Sequence, residues 1–465
     1  MNSTGRNSHA LVMLRRDLRL QDNRALDAAC KSSGKVSLCF ILDPAQLQPH
    51  RWQSQPGLSF MHATLQMLHE ELRTSGSGLI IACGSPEKVL AELIPKHGFD
   101  AVFANRDYTP FALQRDQQIE HCCLTLQTPM HWFDDALLHA PGDILKGNGK
   151  PYRVFTPFFR AASKINLCEP LPRIPMTSLN DMDEKTWQEN CERLRSVQAG
   201  ETPVKAGRKG AESILADMDT YANYQQQRDM AALDATTHLS VHLKFGTISV
   251  REVYVAVFQH LGSEHTLLRQ LYWRDFFTHI AFFFPHVFGH AFDARFETIA
   301  WSEDQQTFQA WCQGRTGFPI VDAGMHELRQ TGFMHNRLRM ITASFLVKDL
   351  HIDWRLGEAW FARHLVDYDP AVNNGNWQWA ASTGCDAQPW FRIFNPWLQQ
   401  QRFDHDCSYI KRWLPALADI EAAKIHHWFR DGNPALHPLP MLDHKIEAAK
   451  AKQLYKQVVQ EVNYE

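Results

Sequence analysis

Between Gly314 and Gln388 the chain concentrates side chains suited to binding charge and to exchanging electrons. Arg337 and Arg339 lie in MHNRLRM, Asp367 and Asp369 in DYDP, and Asn373 opens the run NNGNWQW that contains Trp377 and ends on Trp379. Five Lys or Arg stand against two acids between residues 314 and 348, with His326 and His335 among them. Such an excess suits a phosphate backbone. The same charges equally suit a solvated helix face paired to nearby acids. Two Trp at i, i+2 point in different directions, so one can be buried and the other exposed. An exposed indole beside a guanidinium is a stacking platform for bases, and core packing is the plainer use of the same ring. Asn373 and Asn374 beside Gly375 also fit a simple turn.

The elements that must position these residues fall into two kinds. Ala10–Leu14, Val36–Leu42, Leu79–Cys83 and the run 101–104 read as strands. Helical patterns alternate with them: one capped by Asp22-Asn23 and running to Cys30, one over Phe60–Leu72, and two starting at Pro86 and Phe111. That alternation predicts a doubly wound parallel sheet, whose ligands sit beyond the carboxyl ends of the strands. No GxGxxG follows a strand and no GxxxxGK[ST] occurs, so nicotinamide and P-loop chemistry lose their signal. Glycines and prolines from Gly142 to Pro175 predict an irregular connector. After about residue 206 helical periodicity dominates, as in Ile320, Met325 and Leu328, then Leu338, Ile341 and Phe345. The expected organisation is an N-terminal α/β domain over 1–140, a linker over 141–205 and an all-α domain over 206–465.

Composition narrows the function classes. With 465 residues, a net charge of −3, 24 Gly and 23 Pro, the chain is ordinary globular protein, and any nucleic-acid surface has to be a local patch. Ten Cys without a CxxC argue against zinc or thioredoxin chemistry and for free thiols in a reducing compartment. The N-terminus lacks a long apolar run, and the Phe-rich stretch Phe276–Phe292 is broken by Pro285, so it predicts a buried helix pair rather than a membrane span. A soluble, cytoplasmic monomer is expected. One asymmetry needs a cause: 11 of the 14 Trp follow residue 272.

Seven blocks then carry a resemblance: RRDLRLQDNRAL (15–26), YRVFTPF (152–158), TTHLSVHLKFGTIS (236–249), QLYWRDF (270–276), TGFPIVDAGMHELRQTGFMHNRLRMITASFLVKD (316–349), NNGNWQWAASTGCDAQPWFRIFNP (373–396) and FDHDCSYIKRWLPAL (403–417). In this order the chain resembles the photolyase/cryptochrome family, nearest to bacterial class I cyclobutane pyrimidine dimer photolyases. The resemblance implies a Rossmann-like N-terminal domain and a helical domain that binds FAD and DNA. It implies that Tyr224, Thr236, Thr237, His238, Leu239, Ser240 and Arg274 hold the phosphate and ribityl part of FAD, as hydroxyls, N–H groups and a guanidinium would. Thr236 and Ser240 taken alone fit helix caps just as well. Arg339 with Asp367, and Asp369, match the groups around the flavin ring. Asn373 matches the residue facing flavin N5, where an amide accepts reduced flavin and a carboxylate would repel it.

The same resemblance makes Trp377, Trp354 and Trp301 an electron chain from flavin to surface, and Gln270, Trp273, Asn336, Arg337, Met340 and Trp379 the lining for a flipped dimer. Base flipping is general among enzymes that act on bases, photolyases included. The implied activity is light-driven DNA repair, a carbon–carbon lyase reaction in which photoexcited reduced FAD passes an electron to the dimer. Two departures stand out. Gln270 replaces the Glu usual in dimer photolyases, as in (6-4) photolyases, but Asn336 and Met340 occupy the positions where those enzymes carry their proton-donating His pair. Ala112 replaces the Glu that holds a folate antenna, which weakens methenyltetrahydrofolate and leaves a deazaflavin or an empty second-chromophore site open. The competing class is a blue-light photoreceptor of the cryptochrome type, which shares fold, FAD and Trp chain. Asn373, the retained dimer lining and the lack of a long C-terminal extension count against it; Gln270 counts for it.

Overall fold

A computed structural model describes residues 7–175, 179–180, 183–196 and 204–461. Five parallel strands, β1 (Asn7–Leu14), β2 (Ser33–Leu42), β3 (Leu79–Cys83), β4 (Ala101–Asn105) and β5 (Met130–Phe133), pair in the order β3-β2-β1-β4-β5. Val12 lies opposite Leu38 on one side and Phe103 on the other. β1, β2 and β4 are short, largely apolar runs buried over most of their length, as strands covered on both faces require, whereas the edge strand β5 has no fully buried residue. Between them run α1 (Arg24–Ser32), α2 (Gln55–Arg73), α3 (Pro86–His97) and α4 (Pro110–Thr125). The Asn23, Ser54 and Thr109 side chains accept from the N–H groups of Leu26, Gly57 and Ala112, which starts α1, α2 and α4 at those residues. The expected α/β alternation is present; β5, with only four residues, was not anticipated.

By contacts the chain divides into two compact units. The first runs to Tyr152 and takes in Thr156–Ala222 and Thr237–Phe282; the second comprises Arg153–Phe155, Asn223–Thr236 and the chain from Phe283 on. The connector region is not wholly irregular, since helices span Phe155–Ala162 and Glu184–Ser196. No strand follows β5 among the described residues.

The Phe-rich stretch is not the expected helix pair. It is the end of one helix, α5 (Thr266–Phe283), followed by a 3-10 turn at Pro285–Val287. Pro285 offers no N–H to continue the helix. The second unit is built on α6 (Pro319–Thr331), α7 (Asn336–Lys348), α8 (Trp354–His364) and α9 (Pro370–Ala381), with α10 (His444–Glu461) near the end of the chain. Ile320, Met325, Leu328, Leu338, Ile341 and Phe345, the stripe expected from periodicity, all lie in its core with Trp311, Trp354 and Trp377.

Candidate functional site

The run NNGNWQW is not a turn. Asp369 caps α9 by accepting from the N–H groups of Ala371 and Val372 at 3.0 and 3.1 Å, and Pro370 occupies the first turn. Asn373, Trp377 and Gln378 therefore project from a helix at fixed angles. Asn373 is buried, and its Nδ2 donates to the Glu358 carbonyl at 3.1 Å. That bond aims the side-chain carbonyl, Oδ1, away from α8. The neighbouring amides brace the same helix. Asn374 Nδ2 donates to Val287 O and Glu358 Oε1, both at 2.9 Å, and Gln378 Nε2 donates to Val287 O and His290 O.

Trp377 and Trp379 differ in burial, but neither ring is exposed. Trp377 is 2% exposed, and Trp379 is a half-buried ring packed against the core. Trp377 meets Phe361 edge-on at 4.9 Å and Trp311 at 6.2 Å. Its closest neighbour is the backbone of α8: a Cβ on Gly357 would lie 2.2 Å from the ring, so only glycine permits this approach. Trp354, 1% exposed, starts α8, and the Arg355 guanidinium lies over it. Trp301 packs half-buried against the same core and meets Tyr455 at 6.3 Å. Trp354 and Trp377 lie in one hydrophobic core and Trp301 packs against it, the most exposed of the three.

On α7, Asn336, Arg337 and Met340 lie within two turns. Asn336 Nδ2 approaches Met340 Sδ at 3.6 Å, and Asn336 is exposed. Arg339 Nη2 donates to Asp367 Oδ2 at 3.0 Å and Arg339 Nε to Met334 O at 2.7 Å, which holds the guanidinium and the nearly buried carboxylate together. Tyr224 is buried in the same unit; burial raises its phenol, and Arg228 lies over its ring. Thr236 is half-buried.

The remaining expected residues belong to the first unit. Gln270, Trp273 and Arg274 sit at i, i+3, i+4 on α5 and share one face. Trp273 packs on Phe276 and Phe277. Arg274 donates to Ala136 O at 2.7 Å and lies 3.6 Å from Asp275. Asp275 accepts from Leu138 N at 2.8 Å; burial dominates over that bond and over Arg274 and raises its carboxyl to about 7. His238 holds φ +53 before the helix Leu239–Phe245; the Thr237 hydroxyl accepts from Leu239 N, and Ser240 is exposed. Ala112 is buried in the first turn of α4.

The basic surface expected of residues 314–348 is smaller than the count of charges. Lys348 is fully buried, its Nζ 3.1 Å from Ser382 Oγ and 3.4 Å over the Tyr455 ring, and burial lowers its pKa well below the usual range. Arg337 pairs with Asp229 and Arg339 with Asp367. The paired-face reading describes Arg337 and Arg339, while Lys348 belongs to the core. Glu358 escaped the sequence reading because a lone Glu in a helix carries no signal of its own; the amides it serves were visible in the motif. Among the described residues no group of His, Cys, Asp and Glu is arranged to hold a metal.

Residues 10–176 match the family model described as DNA photolyase, and residues 267–457 match that of the FAD binding domain of DNA photolyase. The chain is 38% identical over 462 residues to a deoxyribodipyrimidine photo-lyase of Salmonella typhimurium, covering 94% of this chain and 96% of that one. It is similar in structure to an archaeal photolyase from Sulfolobus tokodaii solved with two FAD molecules, with a TM-score of 0.87, 39% identity and coverage of 97% and 100%. A cryptochrome of Synechocystis is similar at a TM-score of 0.85 and 28% identity, with coverage of 96% and 99%.

Proposed function

The chain belongs to the DNA photolyase family, and from that premise we propose how its residues divide the work of repair. The protein is a lyase that splits cyclobutane pyrimidine dimers in DNA with light, and FAD is its cofactor. Bound FAD, reduced and excited by light, supplies the electron that opens the dimer.

The donor set fits that group. In kind, the hydroxyls of Thr236, Thr237 and Ser240 and the guanidinium of Arg274 are groups that bind a diphosphate, and Tyr224, His238 and Leu239 belong to the same expected set. Arg339 with Asp367, and Asp369 and Asn373, suit the polar edge of a flavin ring. The observation that carries repair over light sensing is Asn373. It is a neutral amide whose Nδ2 is committed to Glu358 O, so its carbonyl oxygen is the group it would offer a bound flavin, with no negative charge at that position to oppose reduction. Trp377, Trp354 and Trp301 would pass electrons from a reductant at the surface to a bound, oxidised flavin. Trp273 and Trp379 offer apolar faces to the flipped dimer, Asn336, Met340 and Gln270 line it, and Arg337 grips an adjacent phosphate.

In this reading 1–140 is the α/β antenna domain, 141–205 a connector and 206–465 the helical domain that binds FAD and DNA. For a deazaflavin or folate antenna the sheet offers the crevice at its strand reversal, beyond β1 and β4. There Arg15 bonds to Asn105 O and Asp116, and Asn105 Nδ2 to Asp17 at 2.6 Å and Asn23 at 2.9 Å. A second chromophore in that crevice has to displace this network, and the absorption spectrum of freshly purified protein checks for one. Among the described residues no helix is long and apolar enough to cross a membrane; a cytoplasmic monomer is the reading that sedimentation and fractionation test. Gln270 favours the second reading, a cryptochrome-type photoreceptor. Blue light on the reduced protein mixed with a thymine-dimer oligonucleotide decides: restored thymine absorbance is expected, and its absence leaves the photoreceptor.

A further inference from the structure

Arg337 is held from two sides by residues that no motif assigns to the site. Its Nη2 lies 2.6 Å from Asp229 Oδ2, and its guanidinium carbon stands 4.2 Å from the centroid of the Phe403 ring. The same ring lies 5.1 Å from the Arg402 guanidinium carbon. Asp229 is one-third exposed and also faces Arg228, with Nε at 3.9 Å from its Oδ1. Arg337 sits in the first turn of α7, where the helix dipole disfavours a cation. Its Nε is buried without a hydrogen-bond partner. A guanidinium placed against the helix dipole and stacked on an aromatic ring, with an acidic partner that is itself one-third exposed, is arranged to exchange that anion for another.

We propose that Phe403 and Asp229 are positioning residues for DNA binding: Phe403 fixes the plane of Arg337, and Asp229 is a resident counter-ion that a DNA phosphate displaces. This rests on the reading that Arg337 grips phosphate. Stacking on Phe403 does not depend on the anion, so the guanidinium keeps its orientation as carboxylate gives way to phosphate. Asp229 lowers the charge that the site presents by one, shared between Arg337 and Arg228. Its removal therefore strengthens binding at low salt and steepens the salt dependence, whereas loss of the Phe403 ring weakens binding without changing the charge.

The test measures affinity for a thymine-dimer oligonucleotide as a function of salt, in the dark, with the FAD-loaded protein. Asp229→Asn is expected to steepen the slope of log K against log salt by about 0.9, the contribution of one phosphate contact on duplex DNA. Arg337→Met is expected to flatten it by a similar amount, and in that background Asp229→Asn should have a smaller effect, because the pair is coupled. Phe403→Leu is expected to lose affinity about three- to ten-fold at every salt with an unchanged slope. Phe403→Tyr, which keeps the ring, should restore it. An unchanged slope in Asp229→Asn, or an equal change with and without Arg337, overturns the counter-ion role. Unchanged affinity in Phe403→Leu overturns the stacking role. Should Phe403→Leu fail to retain FAD, Phe403→Tyr and Asp229→Asn, at a partly exposed position, carry the test. If Arg337→Met binds like the wild type, the underlying assignment of Arg337 fails instead, and that outcome is separate from the others.

Discussion

Replacing Gly357 by Ala sets a methyl group against Trp377. The added Cβ would lie 2.2 and 2.5 Å from two carbons of the buried indole and 2.6 Å from Leu346 Cδ2. None of these neighbours is the end of a flexible surface chain, so either the ring or helix α8 has to move. Overpacking of a buried site costs about 1–3 kcal/mol, and contacts this short belong at the upper end. Against this, alanine favours a helix interior over glycine by about 1 kcal/mol. The net is a loss of about 2 kcal/mol, which lowers the melting temperature of a unit of this size by roughly 4–8 °C. Because the displaced group is Trp377, photoreduction of the bound flavin by an external thiol should slow in the same variant. Thermal melting followed by near-ultraviolet circular dichroism and flavin photoreduction under constant light measure the two effects. A variant that melts at or above the wild-type temperature and photoreduces at the same rate would refute the reasoning.

Three other outcomes are expected. Asp275→Asn should be more stable than wild type above pH 7, by up to about 4 kcal/mol, the worth of three pKa units. The folded carboxyl holds its proton to about pH 7 while the unfolded one loses it near 3.8, so the wild type loses stability as pH rises through that window and the amide does not; denaturant melts at pH 5 and 8 check the difference. Trp301→Phe should leave dimer repair by chemically reduced protein intact but slow photoreduction at least ten-fold, since an outermost phenyl ring is far harder to oxidise than indole; equal photoreduction would remove Trp301 from the chain. Gln270→Glu should raise repair yield per absorbed photon if the amide is a handicap to substrate contact, and an unchanged or lower yield would show that it is not.

How far the sequence reached depended on whether a signal was local. Strands such as Leu79–Cys83 and caps such as Asn23 are encoded by neighbouring residues, and both stand where the alternation placed them. The i, i+2 argument anticipated that Trp377 and Trp379 point different ways, but not that Trp379 is half-buried against the same core rather than exposed. Asn373-Asn374-Gly375 looked equally like a turn, and the outcome rested on Asp369 and Pro370 upstream, which start a helix through it. Charge counting overstated the basic surface, because periodicity does not say that Lys348 is turned into the core or that Arg337 finds Asp229 more than 100 positions away in the chain. Partners of that kind, Glu358 for the amides and Phe403 for Arg337 among them, come from distant segments and leave no spacing to read.

The central claim is that reduced flavin held beside Asn373 repairs dimers in light. The most direct measurement is a single-turnover experiment with protein in excess over an oligonucleotide carrying one thymine dimer. Matched samples are kept dark or flashed with blue light, and the DNA is then separated by chromatography. The expected result is conversion of the dimer to two thymines in the flashed sample alone. DNA that is bound by FAD-loaded, reduced protein but still carries its dimer after light would contradict the account.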